Sequence, residues 1–123
     1  HDFEFHRFNG LTGQEILRRN TDPNLVNFEI DTYWVQRGGG SPAAWIRKMF
    51  GRCRCVHYKD LVIHEGNQVF AEVGEGNLDW QGINEACRDN GVKYCIVEQD
   101  RSLRDPMESI EISFNNMKAM GLI

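Results

Sequence analysis

No stretch of this 123-residue chain approaches the ~20 consecutive apolar residues of a membrane helix, and its first residues lack the apolar segment of a secretion signal. A soluble, cytoplasmic protein with no membrane partner is therefore expected. Positive charge is also short: 14 Lys and Arg stand against 18 Asp and Glu, a formal net charge of -4. Nucleic-acid binding rests on clustered basic residues, so a phosphate backbone is not the expected partner. The local basic group Arg47, Lys48, Arg52 and Arg54 reads as a solvated helix end. The four cysteines, at 53, 55, 87 and 95, form no CxxC pair and no finger-like spacing with histidine. They are read as small buried apolar groups rather than disulfide or metal partners, with Cys53 and Cys55 on one face of a strand. The GxGxxG fingerprint of dinucleotide binding is absent too.

What is present is helix punctuation. Thr12-Gly-Gln-Glu15 has the form of a capping box, in which Thr takes a free N–H and Glu reaches back to the Thr amide, and it opens a helix to about Asn20. Ser41-Pro42 pairs an N-cap hydroxyl with proline at N1 ahead of a helix over Ala43 to Phe50. Asp79 precedes the stripe Trp80, Ile83, Ala86 and Cys87, which Asn90-Gly91 closes. Asp105-Pro106 opens a last helix whose apolar face is Met107, Ile110, Phe114 and Met117.

Strands lie between these starts. "LVNFEID" alternates, with Val26, Phe28 and Ile30 on one face and Asn27, Glu29 and Asp31 on the other. "CRCVHYKD" and "KYCIVEQD" follow, and "HDFEF" at residue 1 reads as the end of a fourth strand. Strand and helix alternate with no hairpin between main strands, which implies right-handed crossovers and a parallel sheet. The polar face of the first full strand does not suit a sheet covered on both sides. The expected class is α/β, with parallel (β/α) units in a barrel-like arrangement, apolar residues under the helices and polar ones toward the axis or mouth.

Asp31, His57 and Glu98 each stand where such a strand ends. The C-terminal ends of barrel strands converge on one mouth, where active sites are built. Taken singly, each has a structural alternative: Asp31 and Glu98 as loop caps, His57 as a hydrogen-bonded core histidine. Taken together at equivalent places in successive units, they suit a divalent cation with mixed oxygen and nitrogen ligands, whether Mn, Mg, Co or Zn. Glu29 shares the face of Asp31, and Lys59 and Asp60 either bind hydroxyls, orient His57 or form a solvated pair at a loop start. His6 and His64 read as surface residues. The segment from Lys59 to Asp79 is read as one long loop in which Gly74 and Gly76 let the backbone approach a ligand.

The ordered set "HDFEF", "FEIDTYWVQRGG", "VHYKD", "VGEGNLDW", "VEQD" and "DPMES" resembles the sugar phosphate isomerase/epimerase family of xylose-isomerase-like TIM barrels, over nearly all 123 residues. The resemblance is to the C-terminal half, so the chain is expected to be a single domain, 1–123, forming about half of a TIM barrel through its C-terminal four βα units. It implies a sugar or sugar phosphate substrate, and a divalent metal held by Asp31, His57 and Glu98, with Glu98 moving a proton beside a carbonyl. The first glutamate of the family's ligand set has no counterpart, which leaves His1 as its substitute. Trp34 stands where the family often has a substrate-contacting histidine, and implies a stacking contact with a sugar face. Lys59 and Asp60 complete the expected substrate contacts. A half barrel has open strand edges, so self-association into a homo-oligomer is expected, with little activity from the isolated chain. The other classes considered are a non-catalytic sugar-binding or assembly module with a vestigial site and, third, a nuclease of the endonuclease-IV type, which needs more ligands and a basic surface.

Overall fold

The structure, a computed structural model, describes residues 1–123. The N-terminus departs from expectation: Asp2–Phe5 is a 3-10 turn, not the end of a strand. An extended segment needs a ladder partner for its polar backbone, and these residues have none, so the His6 N–H closes back onto the Phe3 carbonyl at 3.2 Å. A short hairpin follows, β1 (Arg7–Phe8) pairing with β2 (Leu11–Thr12) across a turn in which Asn9 and Gly10 have positive φ.

Helix α1 (Gly13–Asn20) begins as its sequence requires, with the Thr12 side chain accepting the Glu15 N–H at 3.2 Å. The reciprocal half of the capping box is not made. Buried Glu15 is taken instead by Arg18 (2.8 Å) and Arg19 (2.6 Å) on its own helix and by Lys48 (2.7 Å). The hydrogen bond from Arg18, which outweighs the cost of burial, and the contacts of Lys48 and Arg19 hold this carboxyl well below the usual carboxylate range.

The central sheet has three parallel strands in the order β3 (Phe28–Asp31), β4 (Cys53–Tyr58) and β7 (Tyr94–Val97). The expected fourth strand is the 3-10 turn described above. Between β3 and β4 run α2 (Thr32–Arg37) and α3 (Pro42–Lys48); α4 (Trp80–Asn90) precedes β7, and α5 (Pro106–Ala119) follows it. Register aligns Ile30 with Val56 and Cys95, and Asp31 with His57 and Ile96, so one face carries the apolar set and the other carries Glu29, Asp31, Cys55 and His57. The apolar face packs under α3 and α4, where Ile30, Val56, Tyr58, Ile46, Met49 and Ile83 are at most 2 % exposed. Burial of side chains of this size contributes about 1.5–3 kcal/mol each before entropy is counted.

The remaining departures have separate causes. A bulge pairs Phe28 with Cys53 but Glu29 with Cys55, so the two cysteines do not share a face: Cys53 enters the core, and Cys55 lies beside Glu29. Burial pushes the Cys53 thiol up to about 11, in keeping with a packing role. Helix α2 is new to the sequence reading, because Thr32, Tyr33 and Val35 have strand-like propensity; the Asp31 side chain starts it by accepting the Trp34 N–H at 3.0 Å. The expected long loop contains an antiparallel hairpin, β5 (Asp60–His64) with β6 (Asn67–Ala71), turned by Glu65 (φ 49) and Gly66 (φ 78). Helix α3 ends at Lys48, leaving Phe50 exposed. On α5 the inward residues are Ser109, Ser113 and Met117, while Met107, Ile110 and Phe114 are more than half exposed. Three of the four residues of the expected apolar face therefore point outward and only Met117 is buried, because Ser109 donates to buried Glu72 (2.6 Å) and Ser113 accepts the Val73 N–H (3.1 Å).

Candidate metal centre

Parallel register sets Asp31 beside His57, and the ladder continues past β7 as the Glu98 N–H donates to the Tyr58 carbonyl at 3.3 Å. Three strand ends thus deliver Asp31, His57 and Glu98 to one volume. One ligand atom from each lies within 4.8 Å of the others. His57 Nδ1 is 3.6 Å from Asp31 Oδ2 and 3.9 Å from Glu98 Oε2, while its Nε2 is 3.3 Å from Glu29 Oε1. Asp31 serves two purposes with two oxygens. Oδ1 caps α2, which fixes the carboxylate plane, and Oδ2 faces the cluster.

Lys59 is buried beneath this group, its ammonium 3.2 Å from Asp31 Oδ2, 2.7 Å from Asp100 Oδ2 and also paired with Glu98. Its Nζ lies 5.6 Å from the Trp34 ring centroid and 5.0 Å from that of Phe70, two aromatic faces that favour a cation. Burial alone would lower the Lys59 pKa. Hydrogen bonds to Asp100 and Glu98 and the charge of Asp31 prevail, and hold it above the ordinary lysine value. The backbone here is fixed by fully buried Thr32, whose hydroxyl donates to the Lys59 carbonyl (2.7 Å) and accepts the Lys59 N–H (2.9 Å).

These side chains line a cavity of about 390 Å³, together with His1, Glu29, Trp34 and Asp100. That volume lies in the range of small-molecule sites. The His1 ring, the expected substitute ligand, stands 5.1 Å from that of Trp34 on the same cavity wall, outside the group of converging ligand atoms. His6 and His64 are exposed and do not line the cavity.

Asp60 is a correction. It is fully buried and absent from the cavity wall, and its carboxylate accepts the N–H groups of Leu61 (2.7 Å), Gly74 (2.9 Å), Gly76 (3.1 Å) and Leu78 (3.2 Å), and the indole N–H of Trp80 (2.7 Å). The glycine-rich "VGEGNLDW" segment therefore does wrap an anion, and the anion is the protein's own Asp60. A Cβ at Gly76 would collide with Asp60 Oδ1 and the Leu61 carbonyl, which is why the loop needs glycine there.

Glu29 and Asp100 were not singled out as site residues from sequence. Glu29 could have been, since it lies two residues before Asp31 on the same strand face. Asp100 lies beyond the strand and carries no such signal. The donor chemistry fits a divalent cation: two carboxylates and an imidazole converge, and three carboxylates (Asp31, Glu98, Asp100) face a single ammonium.

No family model and no curated protein matches the chain. Solved structures do. A sugar phosphate isomerase/epimerase from Parabacteroides distasonis superposes with a TM-score of 0.82 at 26% identity, covering 100% of this chain and 44% of that one. A xylose isomerase domain protein from Planctomyces limnophilus superposes at 0.64 with 18% identity, covering 89% of this chain and 41% of that one. A D-tagatose 3-epimerase-like protein gives 0.62 with 20% identity, covering 94% and 45% respectively. The parallel sheet, the order of its elements and the superposition over the whole chain agree: these 123 residues have the fold of sugar phosphate isomerase/epimerase and xylose-isomerase-like barrels, and span less than half the length of such a protein.

Proposed function

We propose that these residues form the C-terminal part of a divalent-metal-dependent sugar or sugar phosphate isomerase or epimerase, with Asp31, His57 and Glu98 as cation ligands. The observation that carries this reading is the convergence of those three side chains, from three adjacent parallel strands, to within 4.8 Å. Likeness to the Parabacteroides distasonis protein supports the substrate class. Bound there, a divalent cation would act as a Lewis acid on substrate oxygens and make the adjacent C–H acidic enough to lose a proton near neutral pH.

The protein's own groups do the rest. Glu98, one-third exposed to the cavity, removes and returns the proton next to the carbonyl. Trp34, with His1 beside it, offers a flat surface to the apolar face of a sugar ring. Lys59 holds the carboxylates of Asp31, Glu98 and Asp100 in place and presents positive charge to substrate oxygens. The sheet ends in two unpaired edges, β3 and β7, and Tyr94 and Ile96 stand exposed on the latter, which supports self-association of the isolated chain.

The test is metal analysis of the full-length protein, followed by a screen of keto sugars for uptake of solvent deuterium. Stoichiometric metal and exchange at the carbon beside the carbonyl are expected. Sugar binding without exchange would point to the non-catalytic module, and absence of both would remove the assignment.

A further inference from the structure

We propose that Glu29 is a positioning residue, which takes the Nε2–H of His57 and so selects the imidazole tautomer whose Nδ1 lone pair faces Asp31 and Glu98. This rests on the reading of those three residues as cation ligands.

A neutral imidazole has one N–H and one lone pair, and only the lone pair binds a cation. Of the carboxylates around His57, Glu29 is nearest, its Oε1 3.3 Å from Nε2. Asp31 and Glu98 stand off Nδ1 at 3.6 and 3.9 Å, beyond hydrogen-bonding distance. A proton on Nδ1 would thus have no partner, whereas one on Nε2 has a carboxylate at hand. The arrangement is held in register: Glu29 lies two residues before Asp31 on β3, and its cross-strand neighbour Cys55 lies two before His57 on β4. Glu29 thus stands beside Cys55 across the ladder, with its side chain half open to the cavity. An imidazole oriented by a carboxylate on its far nitrogen is a stiffer and more basic ligand, and loss of such a partner lowers metal affinity by about 10- to 100-fold.

The experiment uses full-length protein, free of metal and ¹⁵N-labelled, with His57 assigned by comparison with His57→Gln. Long-range ¹H–¹⁵N spectra above the range of imidazole protonation read the tautomer directly. Nε2–H is expected in the wild type and in Glu29→Gln, whose amide oxygen still accepts, and a tautomer mixture in Glu29→Ala. Titration with Mn²⁺ alone, followed by electron paramagnetic resonance, should show Glu29→Ala weakened about 10- to 100-fold and Glu29→Gln much less affected. Nδ1–H in the wild type, or an unchanged tautomer and Mn²⁺ affinity in Glu29→Ala, would overturn the proposal. Failure of the wild type to bind any divalent cation would sink the metal reading itself, while the tautomer spectra would still decide the role of Glu29.

Discussion

The buried carboxylate of Asp60 accepts the indole N–H of Trp80 at 2.7 Å, joining the first residue of β5 to the first residue of α4. Four backbone N–H groups end on the same carboxylate. Asp60→Ala strands these donors in the interior, and a loss of about 3–5 kcal/mol is expected. Urea unfolding followed by Trp fluorescence measures it. A loss under about 1 kcal/mol would mean that water replaces the carboxylate without difficulty.

Asp31 invites a comparison of two substitutions, since one oxygen caps α2 and the other faces the cluster. Asp31→Asn keeps a capping oxygen and loses the charge; Asp31→Ala loses both. Both variants should lose metal retention. Only Asp31→Ala should show an added stability cost of about 1 kcal/mol, the usual value of a helix N-cap. Retained metal in both variants, with a stability loss confined to Asp31→Ala, would show that Asp31 is a cap and nothing more.

Lys59→Met keeps the length of the side chain and removes the one ammonium among Asp31, Glu98 and Asp100. These carboxylates are partly solvated, so the expected destabilisation is about 2 kcal/mol, below the figure for a fully buried pair. Steady-state kinetics should show a raised KM together with a lowered kcat. A change in stability alone would restrict Lys59 to a structural role.

Glu15 predicts a pH dependence. Its folded-state carboxyl is held down by Arg18, against the cost of burial, with help from Lys48 and Arg19. A depressed folded pKa contributes stability that is present above the unfolded value of about 4.3 and is lost as pH falls toward the folded one. Urea midpoints should therefore drop between neutral pH and the acid range, and Glu15→Gln should flatten that drop while costing about 1–2 kcal/mol at pH 7. An unchanged pH profile in the variant would show that the three cations do not favour the charged form.

Much of this fold was legible along the chain because helix starts are local. Thr12, Ser41, Asp79 and Asp105 each cap a helix within three residues of themselves, and Pro42 and Pro106 stand at N1 where their sequence neighbours put them. The convergence of Asp31, His57 and Glu98 was legible for a related reason: equivalent positions at the ends of parallel strands must lie side by side once the register is set. Helix α2 was not, since Thr32, Tyr33 and Val35 prefer extended backbone and only the Asp31 carboxylate turns them.

The amino-acid sequence by itself determined where elements begin, that strands and helices alternate, and which three side chains meet, because these follow from interactions spanning a few residues and from strand periodicity. Only the tertiary structure decided that Asp60 serves the loop rather than a ligand, that a bulge separates Cys53 from Cys55, that α5 turns its serines inward, and that Glu29 reaches His57. Those outcomes depend on which distant donor or acceptor comes within about 3 Å, and short-range pattern carries no record of that distance.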